Sequence, residues 1–198
     1  MSPVLPSVPQ WQEAEQTEWF AAVIALGAWL MFFGALVFAA GYLRLRDPWP
    51  IAGALVAPRF TLGLGMLLLA GGSVLLHTAQ QRLSREPTSE PTARAATVWS
   101  LAATLGLGVA FLSLQAVVAT SLWKAGLRLP SGGAHASSFY GLLTVHALHT
   151  LVGVLGLARL LVHGVRGPEV RQRLRLWNLY WHFVTVTGLL LFAVVYLP

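Results

Sequence analysis

The ionisable side chains within, or at the edge of, the long apolar stretches of this 198-residue sequence are His77, His146, His149, Arg159, His163 and His182. Charge in such a setting is costly, so each is a candidate for function. Imidazoles there could ligate a haem iron or another metal, or hand on a proton. No Asp or Glu falls in the same stretches. A proton-driven pump or carrier usually needs such an acid among its helices, so the chain by itself is not expected to move protons or ions. The absence of cysteine excludes a disulfide, a thiolate metal site, a Cys nucleophile and iron–sulfur ligation.

These groups must be positioned by elements that live in lipid. Apolar residues make up 56% of the chain and charged ones 10%, where a water-facing domain carries about 25%; the mean hydropathy is +0.67. Five apolar runs, at about 19–43, 60–78, 98–123, 139–162 and 177–196, each approach or exceed the roughly 20 residues that cross a bilayer as helix. Backbone groups find no water there, so helices are required, and the strict alternation of barrel strands is absent. The sequence therefore predicts an all-α, polytopic membrane protein. Residues 19–198 form one domain, a bundle of five transmembrane helices, behind a mobile tail at 1–18 that lacks the pattern of a secretory signal.

The connections fit. Arg-Asp-Pro-Trp-Pro at 46–50 cannot continue a helix, Ser84–Arg94 is a polar Pro/Ser/Thr linker, and 129–138 is rich in Gly and Ser. Aromatics such as Trp19, Tyr42, Trp99, Trp123, Trp177 and Tyr196 gather at helix ends, as headgroup depth favours. Trp29, well inside the first run, is expected to face lipid or another subunit. Lys and Arg are more numerous in the second and fourth loops, which places the N-terminus inside and the C-terminus outside. The net charge of +6 raises nucleic acid as a partner, but the cations lie in short loops and form no face to track phosphates, so no nucleic-acid partner is expected. Small residues at Gly63/Gly65, Gly71–Ser73, Gly106/Gly108 and Gly153/Gly156 offer surfaces for close helix contact.

Within this frame a haem site is hard to assemble. His146 and His149 share one helix face and cannot grip one iron from opposite sides. His149 lies about 20 Å from the inner end of its run and His182 about 8 Å from that of its own, at 1.5 Å per residue, so their depths differ. His77 and His182 could lie level near the inner side. The alternative for any of these histidines is a buried ring bonded to a hydroxyl, a carbonyl or a headgroup. Arg159 and His163, one turn apart, suit snorkelling toward headgroups. Gly132-Gly133 follows no strand and lacks a Lys-Ser/Thr partner, so it is no phosphate cradle.

SSFYGLLTVHALHTLVGVLGLARL (137–160) followed by LWNLYWHFVTVTGLLLFAVVYL (176–197) resembles subunit III of the haem-copper oxidases, in its five-helix form. The resemblance rests on His146-x-x-His149 with Tyr180-Trp181-His182-Phe183-Val184. WLMFFGALVFAAGYLRLR (29–46), RFTLGLGMLLLAGGSVLLHTAQ (59–80) and GVAFLSLQ (108–115) extend it over nearly the whole chain. Three acids usual in that family are replaced here, by Trp29, Val118 and Thr185. The resemblance implies a subunit with no catalytic centre and no haem, copper or other metal of its own. Its partners would be catalytic subunit I, which carries the haem and copper, subunit II, and phospholipids. It implies a role in assembly and stability during aerobic electron transport, in a bacterial inner membrane. His146, His149, Trp181, His182 and Arg159 are the candidate lipid-binding or buried polar contacts. The lost acids also suit a homologous accessory subunit of a nitric oxide reductase. An autonomous transporter or haem-binding electron carrier is a further alternative, against which stand the missing internal repeat and the odd number of spans.

Overall fold

The structure, a computed structural model, describes residues 10–46, 49, 58–85, 91–163 and 169–196. The first half of the expected tail, most of the proline-rich break, the centre of the 84–94 linker and Arg166 lie outside the described residues. Five helices run in order: α1 (Gln10–Arg46), α2 (Arg59–Arg85), α3 (Pro91–Ala125), α4 (Gly133–His163) and α5 (Glu169–Tyr196). All are long and apolar enough to cross a membrane, and no strand occurs among the described residues.

Each helix is longer than its apolar run. Hydropathy marks only the length that lies in hydrocarbon, whereas backbone hydrogen bonds carry the helix on into polar turns. Gln10–Glu18 thus continues α1, where a tail was expected. At the other extreme, α5 starts at Glu169, and its first turns bear Arg171, Arg173 and Arg175. The α3–α4 turn is set by Gly126 at φ +110°. Leu127 N–H donates to Leu122 O (3.0 Å) and Gly126 N–H to Trp123 O (3.2 Å), closing α3 in the manner that a left-handed glycine allows.

Helices α2, α3, α4 and α5 form a ring in which each packs on the next and α5 closes on α2; α1 lies outside, against α4 and α5. Lipid tails are as apolar as leucine, so close packing rather than water exclusion must hold such a ring. Trp181 of α5 supplies it. Its indole is fully buried and lies against Gly72 of α2, Gly108 of α3 and Gly153 of α4. An added Cβ would fall 2.8 Å from the ring at Gly72, 2.7 Å at Gly108 and 3.3 Å at Gly153. Three of the expected small-residue surfaces therefore converge on one side chain. Gly156 likewise admits the ring of Trp177, into which a Cβ would project.

The outer helix is tied at its ends. Gln172 donates to Glu18 Oε2 (2.7 Å), the Arg175 guanidinium lies 5.3 Å from the Trp19 ring centroid, and Arg44 donates to Val194 O (3.1 Å). Between these ties, Phe33 is the fully buried α1 side chain, packed with Leu142 of α4 and Leu191 of α5.

Candidate functional site

The α2–α5 seam carries a string of polar groups. Trp181 Nε1–H donates to Leu69 O at 3.3 Å. Thr185 donates to Trp181 O at 3.0 Å and also lies 3.4 Å from Leu69 O. Ser73 Oγ is 3.1 Å from Thr185 Oγ1 and 2.9 Å from His182 Nδ1. The His182 ring faces that of His77, with centroids 5.7 Å apart, and Gln81 Nε2 donates to His77 Nε2 at 2.9 Å. Ser73 and His77 are one turn apart on α2, as Thr185 and His182 are on α5, so two short polar stripes meet. In hydrocarbon these groups must satisfy one another. Ser73→Ala removes the hydroxyl shared by His182 and Thr185. It is expected to lower stability by about 1 kcal/mol, the scale of an interhelical hydrogen bond in lipid; denaturant titration in micelles measures it, and no loss would mean that the string contributes nothing.

The other two histidines occupy different surroundings. His149 Nδ1–H donates to Val145 O at 2.7 Å. Its ring lies edge-on to Trp29 (4.5 Å between centroids) and near Phe33 (5.0 Å). Tyr180 O–H donates to His149 O at 2.9 Å, fastening α5 to α4. His146 is 2% exposed, lies between Phe111 and Phe33, and among the described residues has no partner for either ring nitrogen.

These positions sort the candidates. His77 and His182 come together as their expected depths implied. The depth difference between His149 and His182 does not hold. Because α5 begins at Glu169, His182 lies about 20 Å along its helix, level with His149, at 1.5 Å per residue. The two still do not oppose, since His149 meets α1 and His182 meets α2. A macrocycle between His77 and His182 would have to break the direct Ser73 contacts across the α2–α5 seam. Among the described residues no group of three or more His, Asp or Glu could hold a metal ion. Arg159 is exposed and apart from the rest; its carbonyl accepts from His163 Nδ1 at 2.9 Å.

Of the three residues that the resemblance sets where the family carries acids, two are absorbed into packing. Thr185 belongs to the polar string, and Val118 is buried with Leu62, Leu122 and Phe139. Trp29 is 45% exposed, so one face turns outward as expected while the other covers His149. Sequence reasoning missed Ser73 as the partner of His182 and Gln115 as lining the same pocket as His146. The Ser73/His77 spacing facing His182/Thr185 was the available signal for the first; nothing in one sequence pairs Gln115 with His146 across two helices.

No protein-family model matches the chain. Curated proteins do. The chain is 29% identical over 177 residues to cytochrome c oxidase subunit 3 of Rhizopus stolonifer, covering 85% of this chain and 56% of the relative. It is 28% identical over 174 residues to cytochrome c oxidase subunit 3 of Thermostichus vulcanus, covering 84% of this chain and 80% of the relative. Against cytochrome bo(3) ubiquinol oxidase subunit 3 of Pseudomonas putida it is 30% identical over 101 residues, 49% and 48% of the two chains. Apart from the Thermostichus vulcanus protein, the chain spans about half the length of these relatives. Five helices able to cross a bilayer, together with this similarity, make the chain a multi-pass membrane protein similar to subunit III of the haem-copper oxidases.

Proposed function

We propose that the chain is a non-catalytic subunit of a respiratory haem-copper oxidase, bracing the catalytic subunit within the bilayer and holding phospholipid along its helices. The observation that carries this is similarity running through 84% of the chain to a protein named cytochrome c oxidase subunit 3. The interior supports it: the space between α2, α3, α4 and α5 is taken up largely by Trp181 and its neighbours, an arrangement that makes a rigid brace. In this reading haem and copper belong to the partner subunit I, with subunit II beside it. The complex lies in a bacterial inner membrane, with the N-terminus of this chain inside, as its Lys and Arg distribution favours. The apolar outer faces of α1, which include Met31 and Phe38, then meet lipid or the partner.

A second reading, an accessory subunit of a nitric oxide reductase, is favoured by the way Trp29, Val118 and Thr185 occupy the places of the family's acids. Affinity purification of the tagged chain in mild detergent separates the two. The expected result is a co-purifying haem-containing subunit that reduces oxygen with cytochrome c or quinol as donor, while the isolated chain shows no stoichiometric haem band. Nitric oxide reduction in place of oxygen reduction would favour the second reading. A lone, stable chain that transports a ligand or binds haem would overturn both.

A further inference from the structure

Between α2, α3, α4 and α5, away from Trp181, lies a partly open pocket of about 50 Å³, bordered by Met66, Gln115, Phe139, Leu142, His146 and Gly188 among others. Two of its wall residues are polar and almost wholly buried: His146 at 2% exposure and Gln115 at 7%. Among the described residues neither His146 ring nitrogen has a partner, and neither does Gln115 Oε1. A buried polar atom left unpaired costs about 1–3 kcal/mol, and here three such atoms belong to residues that wall one space.

We propose that this cavity is a water-binding site in which His146 and Gln115 hold ordered water inside the membrane domain. The chemistry selects the occupant. A neutral imidazole offers one N–H donor and one acceptor nitrogen, and Gln115 Oε1 only accepts. Water accepts from the imidazole and donates to the amide oxygen, so it satisfies both. Among the described residues no carboxylate, Lys or Arg borders the pocket, which disfavours an ion of either sign. An apolar gas or a lipid methylene would leave all three polar atoms unpaired. A buried water needs roughly 10–15 Å³, so the space takes a small cluster, on the order of three molecules. This site is separate from the α2–α5 polar string and does not depend on the oxidase reading.

X-ray radiolytic footprinting of the full chain in lipid nanodiscs tests the proposal, because hydroxyl radicals formed from bound water label the side chains beside it. Phe139, buried at the cavity wall, and Met66 are expected to be oxidised at least tenfold faster than Met31, which faces the bilayer. Trp181, intrinsically more reactive than Phe139 but packed against three glycines, should stay unlabelled. Gln115→Met and His146→Phe keep the bulk and remove the polar atoms. Combined, they should reduce Phe139 labelling about tenfold, back to the level of Met31. Wild-type labelling of Phe139 no faster than that of Met31 would overturn the proposal, and it decides the matter even if the variants fail to fold. Labelling that persists unchanged in a folded double variant would also overturn it, since water would then be present without being held by these two side chains.

Discussion

Trp181→Ala should lower the stability of the bundle in micelles by about 3–5 kcal/mol, the cost of emptying a large buried aromatic site. The indole is fully buried and touches α2, α3 and α4 at once, so no single helix can move in to fill the gap. Part of the usual penalty is transfer of apolar surface from water, and that part shrinks when the alternative surroundings are lipid. The loss is therefore expected near the lower end of the range. Trp181→Phe keeps most of the ring volume but gives up the donor to Leu69 O, and should lose about 1 kcal/mol. Denaturant titration followed by circular dichroism measures both. A loss below about 1 kcal/mol for the alanine variant would show that the four helices hold together without their central side chain.

Gly108→Ala approaches the same contact from the other side and should destabilise by about 1–3 kcal/mol, the usual penalty of overpacking. The new methyl would stand 2.7 Å from Trp181 Cη2 and 2.8 Å from Val154 Cγ2, both on buried side chains. Gly106→Ala, two residues earlier, provides the control: a Cβ there meets nothing within 4 Å. It should be neutral or gain a few tenths of a kcal/mol up to about 1 kcal/mol from helix propensity. Combining Gly108→Ala with Trp181→Phe should cost less than the two changes summed, because the smaller ring makes room for the methyl. A coupling of about 1 kcal/mol or more is expected for residues in such contact. Strict additivity would mean that the glycine and the indole do not constrain one another.

The five spans were legible because apolar length is a one-dimensional property of the chain. Helix ends were not, since α5 runs eight residues ahead of its apolar run through Arg171, Arg173 and Arg175, and hydropathy loses sight of a helix once it leaves hydrocarbon. That error carried into chemistry: it set His182 at the wrong depth and made its separation from His149 a matter of level, when it is a matter of direction. The small-residue positions were recognised as contact surfaces, and Trp181 as an inward-facing aromatic. Their convergence needs the relative rotation of four helices, which no single helix pattern contains. For the same reason Trp29 read only as an outward-facing residue, although half of it roofs His149.

The peripheral position of α1 bears on how the protein is made. Helices α2 and α3 are consecutive and pack along their length, so they can pair as soon as both have entered the bilayer. Helix α1 has the opposite fate: it is made before α2 and α3, yet its neighbours α4 and α5 are made after them. Until then it must wait in the lipid with Phe33 unsheltered, and the ties from Arg175 and Gln172 cannot form. Docking of α1 consequently waits for α4 and α5, and a chain cut before them would leave α1 adrift in lipid with Phe33 uncovered.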